Sequence, residues 1–252
     1  MTQRAWDGKT YDRVGTPQAE WGVAVLDRLL LVGDETIADV GCGSGRVTEE
    51  LVRRLPRGQV IAVDGSASMI AAARERLAGH DNVAYEVQDL RELDLFGRVV
   101  DGIVSTATFH WIHDHALLFG RLRAQLGSGA TLTAQCGGRC NIGRVLDQVA
   151  VVMALPQFAG AFENWTEPCH FADAPETEVL LREAGFGEAR CWLHDAPVFP
   201  PEPAVFLGSV ILGAHLERLA ADQHDDFVAA VLARLPEPFE ADYVRLNIDA
   251  VV

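Results

Sequence analysis

Long apolar runs are missing from this chain of 252 residues, and none approaches the ~20 residues that a membrane-spanning helix needs. The opening stretch MTQRAWDGKTYDR also lacks the apolar centre of a secretory leader, so a cytoplasmic location is expected. Positive charge is short: 21 Lys and Arg face 36 Asp and Glu, a formal net charge of −15. Nucleic acid and anionic membranes would be repelled by such a surface, and neither is expected as a partner. Cysteine is sparse and scattered, with Cys42, Cys136, Cys140, Cys169 and Cys191 forming an odd set that excludes a disulfide-stapled scaffold. Cys136 and Cys140 are a lone C-x-x-x-C without the second pair that a structural zinc site requires. Glycine at 23 and proline at 11 are too few for collagen-like or low-complexity chains, while 49% hydrophobic and 23% charged residues describe a globular one. No internal repeat and no Ser/Pro-rich linker divides the sequence, which favours one domain over two.

What is present is a rhythm. PQAEWGVAVLDRLLL (17–31) places Trp21, Val25 and Leu29, with Val32 just beyond, at helical spacing, and Gly33 stops it. Then come TIADV (36–40), a short apolar run, and SGRVTEELVRRL (44–55), a helix with Ser44 as its candidate cap. QVIAVD (59–64), SASMIAAARERL (66–77), NVAYEVQD (82–89), VVDGIVS (99–105), HALLFGRLRAQL (115–126) and ATLTAQC (130–136) continue the alternation of strand and helix. Apolar strands taking turns with helices indicate a parallel sheet covered on both faces.

From Asn141 the rhythm breaks into a helix (142–155), an aromatic stretch without period, a helix at 176–186, a strand EARCWLHD (188–195), two helices and a last strand YVRLNIDAV (243–251). The expected class is therefore α/β, a Rossmann-like, mostly parallel seven-stranded sheet with helices on both faces and a helical cap inserted in the second half. As one domain over 1–252, it comprises a core of about 33–140 plus 175–252, an N-terminal lid at 1–32, and a cap at about 141–174 with helices at 203–236.

In such sheets ligands bind outside the carboxyl ends of the strands. After the first strand stands Asp39-Val-Gly41-Cys42-Gly43-Ser-Gly45, where glycines let a ligand approach the backbone and helix-starting amides are exposed. The dinucleotide pattern G-x-G-x-x-G would require a third glycine at Arg46, which disfavours a nicotinamide oxidoreductase. Asp64, after the second strand, sits where a carboxylate can accept both hydroxyls of a ribose. Asp89, after the third, could accept from an exocyclic amine, and Met69 could lie against a flat ring. Each alone is also compatible with a strand-end cap or a core residue; three at successive strand ends form a set.

Together ADVGCGSGRVTEEL, VIAVDGSASMI, VQDL and DGIVSTATFHWIHDH resemble the successive motifs of class I S-adenosylmethionine-dependent methyltransferases. The similarity is to the small-molecule branch that includes trans-aconitate 2-methyltransferases and malonyl-carrier-protein O-methyltransferases, and it covers roughly residues 6 to 140. It implies S-adenosylmethionine as cofactor and a small-molecule acceptor, with O-methylation expected and carboxyl methylation of a free or carrier-bound acid as the alternative. It also implies that Asp39, Gly41, Cys42 and Gly43 lie beside the methionine part, that Asp64 holds the ribose, and that Gly65 and Met69 flank adenine. Asp89 and Leu90 would read the adenine edge, Thr106 would contact the sulfonium end, and Trp6, Tyr11 and Gln18 would border the methyl group.

The segment Phe109-His110-Trp111-Ile112-His113-Asp114-His115 carries three histidines that straddle a helix start and would not all point one way, so no metal is expected. His113 to His115 read as a solvated helix cap, with His110 and Trp111 facing the substrate where the similar carboxyl methyltransferases carry a Gln-Trp pair. His110 is either the general base for a hydroxyl acceptor or a packed, non-catalytic ring. Phe158, Phe162, Trp165 and His170 either wall an apolar acceptor pocket or are plain core, and the stretch from Met153 to Asp173 holds no Arg or Lys to meet a polycarboxylate.

Overall fold

The computed structural model describes residues 16–252, with side chains from Glu20 onward. The first half alternates α1 (Thr16–Leu26), β1 (Thr36–Val40), α2 (Arg46–Arg54), β2 (Gln59–Asp64), α3 (Ala67–Arg76), β3 (Val83–Val87), β4 (Val100–Thr106), α4 (His115–Ala124) and β5 (Leu126–Gly137). The second half adds α5 (Gly143–Met153), α6 (Ala174–Glu183), β6 (Glu188–Asp195), short α7 (Pro203–Phe206) and α8 (Gly213–Leu216), α9 (His224–Leu232) and β7 (Val244–Val251). Seven strands form one sheet in the order β3-β2-β1-β4-β5-β7-β6. β3 to β5 run parallel, while β7 inserts antiparallel between β5 and β6. The order reverses between β1 and β4, where a crevice opens at the carboxyl ends of the strands.

The central strands are apolar because both faces are covered. On one face Val104, Ile37 and Val60 pack with Val25, Leu26, Leu51 and Leu55 of α1 and α2 and their flanks. On the other, Val40, Ile61, Val63, Ile103 and Leu132 pack with Leu118, Phe119, Leu122 and Leu181 of α4 and α6. Each such side chain, fully buried, contributes roughly 1.5–3 kcal/mol of transfer free energy. A separate core gathers Val145, Val149, Phe158, Phe162, Phe206 and Phe227 from α5, α7, α9 and the aromatic stretch between. Among the described residues no helix is long and apolar enough to cross a membrane.

Three expectations are corrected. The first helix was expected to run to Gly33 but ends at Leu26, because Arg28 turns inward, donating to Asn247 Oδ1 (2.6 Å) and Ala134 O (2.7 Å) and pairing with Asp249 (3.1 Å). The N-cap of α2 is Gly45 at φ 81 rather than Ser44, since the turn demands a left-handed residue at that point. The run around residues 203–219 is not one helix: between α7 and α8 lies a π-turn, Leu207–Ile211, where Gly208 and Gly213 weaken regular helix.

Candidate cofactor and acceptor site

The turn after β1 is held by its own backbone: the amides of Gly41 and Cys42 both donate to Val63 O, at 2.7 and 3.0 Å. Its three glycines, all at positive φ, answer to three different constraints. A Cβ on Gly41 would fall 2.0 Å from Thr108 Oγ1, so the β4 loop leaves no room for a side chain. A Cβ on Gly45 would press on Ala73 at 3.2 Å and on Leu77, so this glycine sets the close approach of α2 and α3. Around Gly43 nothing lies within 4 Å: the turn presents open backbone to the crevice. Cys42 contributes its backbone alone, because its thiol is packed with Ala62 and Ile70 and burial raises its pKa far above the usual range.

Two carboxylates frame this turn. Asp64, ending β2, accepts from the amides of Gly43 (2.9 Å, Oδ2) and Ser66 (2.8 Å, Oδ1), tying glycine turn to strand end; burial nonetheless raises its pKa. Asp39, 1% exposed, accepts the Thr48 hydroxyl on Oδ2 at 2.6 Å, while Oδ1 is buried without a hydrogen-bond partner among the described residues. Burial, with a smaller contribution from Asp64, lifts the Asp39 pKa to about 6. A buried carboxylate oxygen left open is costly unless a cationic or N–H-bearing ligand completes it.

Gly65 lies in the bend between β2 and α3, and Met69 is half-buried in the first turn of α3, its amide on Ser66 Oγ at 3.4 Å. Asp89 caps the single turn Leu90–Glu92 and is clasped by the Arg91 side chain and backbone amide, which hold its carboxyl below the usual range; Leu90 itself is buried. Thr106 ends β4, and its carbonyl accepts from Thr108 Oγ1 (3.0 Å), which also reaches Gly41 O (3.3 Å). Thr108 thus fastens the β4 loop to the glycine turn, a role no motif indicated.

Beyond β4, His110 accepts the Gly137 amide on Nδ1 at 3.2 Å and lies between the rings of Trp111 (5.3 Å) and Phe171 (5.9 Å). Burial, then the nearby Arg245 guanidinium and the His115 ring, lowers its pKa to about 3. An amide N–H can only donate, so the neutral ring carries its proton on Nε2. The expected solvated cap is revised: Asp114 caps α4 by accepting from Leu117, whereas His115 is buried with Nε2 3.0 Å from Phe109 O. The His170 amide donates to His110 O at 2.7 Å, and its ring meets His115 edge-on at 4.9 Å. Phe158 and Phe162 belong to the second core, edge-on to Phe227 and Trp165 respectively, which is the plain-core reading; Trp165 lies over His215 at 4.6 Å. Trp6 and Tyr11 fall outside the described residues, as does the side chain of Gln18. Among the described residues no group of three His, Cys, Asp or Glu is placed to hold a metal ion.

Residues 37–129 match the family model described as a methyltransferase domain. A trans-aconitate 2-methyltransferase of Variovorax paradoxus is 32% identical over 96% of this chain and 93% of its own length. Another, of Acidovorax ebreus, is 34% identical over 52% of this chain, and the matched region spans about half (49%) of that relative. A malonyl-[acyl-carrier protein] O-methyltransferase of Bacillus cytotoxicus is 36% identical over 41% of the chain and 36% of its own.

Among solved structures, the phosphoethanolamine N-methyltransferase 2 of Haemonchus contortus with S-adenosylmethionine gives a TM-score of 0.58 at 18% identity, covering 92% of this chain and 52% of that one. The [4+2]-cyclase SpnF gives 0.61 at 20% identity, covering 92% and 80%. A cyclase on the same fold shows why the sheet alone does not assign the reaction. The full-length match and the domain model do assign the family: this chain belongs to the class I S-adenosylmethionine-dependent methyltransferases.

Proposed function

We propose that the chain transfers a methyl group from S-adenosylmethionine to a carboxylate oxygen of a small acid. The observation that carries this reading is the state of His110. Its Nδ1 lone pair is occupied by Gly137 and its pKa lies near 3, so it offers a hydroxyl acceptor neither a free lone pair nor a useful proton affinity. A carboxylate needs no base, because it is already ionised at neutral pH. The names of the relatives, trans-aconitate 2-methyltransferase and malonyl-[acyl-carrier protein] O-methyltransferase, point the same way.

The site suits the cofactor. Open backbone at Gly43 leaves space for the methionine portion, the uncompleted Oδ1 of Asp39 suits its ammonium, and the Asp64 carboxylate at the end of β2 suits the ribose hydroxyls. When bound, the cofactor supplies a methyl group already activated by positive sulfur. The protein's task is then to hold the nucleophilic oxygen in line with that methyl at near-attack distance, where positioning alone contributes much of the rate. His110 serves by donating Nε2–H to one carboxylate oxygen, as the amide of a glutamine would, leaving the other oxygen to attack. No proton is moved.

The test is the chemistry of the product. Acid pools incubated with methyl-labelled S-adenosylmethionine should give label that mild alkali releases, as a methyl ester does. Label that resists alkali, as in an ether or an amine, would overturn the reading.

A further inference from the structure

Arg245 and Asp39 are the only Arg, Lys, Asp or Glu residues among those described that are almost fully enclosed, at 3% and 1% exposure. Asp39 lies on the cofactor side of the crevice. Arg245 lies on the other: it is the second residue of β7, directly opposite Gly137, the residue whose amide holds His110. Its Nε donates to Gln135 Oε1 at 3.4 Å, and its guanidinium sits over the Trp21 ring at 4.8 Å and near Tyr243 at 6.0 Å. Burying a guanidinium costs several kcal/mol of hydration, so its retention is weak evidence for stability and better evidence for use.

Of the other cations near this end of the sheet, Arg28 is turned inward but held by Asn247, Ala134 O and Asp249, while Arg139 and Arg144 are committed to the surface. Arg139 pairs with Asp173 (2.8 Å), and Arg144 pairs with Glu240 and Asp242 (2.6 and 3.4 Å); both are exposed. Arg245 alone combines enclosure with a position beside His110.

From this geometry we propose that Arg245 is the acceptor-binding residue that selects for an anion, taking a carboxylate of the acid while His110 Nε2–H orients the reacting group. The proposal rests on the acid-acceptor reading above. Trp21 and Gln135 hold the planar guanidinium in place before the ligand arrives, which lowers the entropy lost on binding. Shielded from bulk water and salt, the charge discriminates acid from neutral ester more sharply than a surface arginine could. Arg245 would supply the cation for an acid acceptor that the aromatic stretch, with no Arg or Lys, lacks.

The test compares malonate, glutarate and octanoate, each with its own methyl ester, as ligands of the protein saturated with S-adenosylhomocysteine. That form lacks the sulfonium, so any preference for acid over ester comes from the protein. Wild type should bind at least one acid more tightly than its ester. Arg245→Gln should keep its S-adenosylhomocysteine affinity and ester binding while losing roughly 10- to 150-fold in acid affinity. Arg245→Lys, which keeps the charge without the fork, should fall between and serves alone if the Gln variant does not fold. No acid preference in wild type, or acid and ester affinities that fall together or not at all in the variants, would overturn the assignment. These outcomes are independent of the alkali test, which addresses the product and not Arg245.

Discussion

The amide of Gly137, in the last position of β5, donates to Nδ1 of His110, in the loop after β4, at 3.2 Å. The ring is thereby turned into a donor through Nε2. His110→Gln should therefore keep turnover within a few-fold of wild type, with a rate that is flat above the acceptor's own pKa in both proteins. A general base would instead cost ~10²–10⁴ in turnover and give a rate rising through a histidine pKa. Paired pH–rate profiles on an acid acceptor measure the difference.

The same histidine sets a stability slope. Its pKa is about 3 in the folded protein against the ordinary 6.5, so the unfolded chain takes up the proton first as pH falls. The stability owed to neutral His110 is thus complete above 6.5 and is lost as pH falls towards 3. His110→Gln should lose less melting temperature than wild type between those limits. Thermal melts of both proteins across that range check it, and parallel curves would place the ring in a solvated setting.

How much of this was legible in the sequence depended on range. The strands at 36–40 and 59–64 were read at their observed bounds, because an apolar run between breakers is a local signal. The glycine turn and the acids at strand ends followed from topology once the alternation was read. Arg245 was missed because nothing local distinguishes it in YVRLNIDAV; only the antiparallel insertion of β7 sets it opposite Gly137, over a hundred positions earlier. The Gly137–His110 contact is hidden for the same reason. Thr108 and the Arg91 clasp on Asp89 are nearer in sequence, but both depend on turn geometry that hydrophobic period does not encode.

Asp39 makes the cofactor's affinity pH-dependent. With a pKa of about 6 before binding, it must ionise to accept an ammonium, so S-adenosylhomocysteine should bind more weakly as pH falls below that value. Asp39→Asn should weaken binding by roughly 10- to 150-fold near neutrality and flatten that dependence. Titration calorimetry from mildly acidic to neutral pH reads both effects. A pH dependence that survives in Asp39→Asn would assign it to another group, with Asp64 the first candidate because its pKa is also raised.

The glycine turn allows structure and binding to be separated by two substitutions. At Gly41 an added Cβ falls 2.0 Å from the Thr108 hydroxyl oxygen and must also hold φ at +80, so both a collision and a left-handed cost of roughly 1–2 kcal/mol apply. Gly41→Ala should lower the melting temperature markedly and loosen the β4 loop that Thr108 fastens. At Gly43 the φ is +54 but the added Cβ meets nothing within 4 Å, so only the backbone cost applies and the fold should survive. The open space there is what the cofactor needs. Gly43→Val, which adds the strain of a β-branched side chain at positive φ, should therefore fold with a lowered melting temperature yet show no stabilisation by S-adenosylhomocysteine, which at a hundred times its dissociation constant adds about 2.7 kcal/mol to a competent protein. Thermal shift on the two variants, with and without that ligand, reads all four values. A Gly43→Val protein stabilised as strongly as wild type would mean that the cofactor does not lie against this turn.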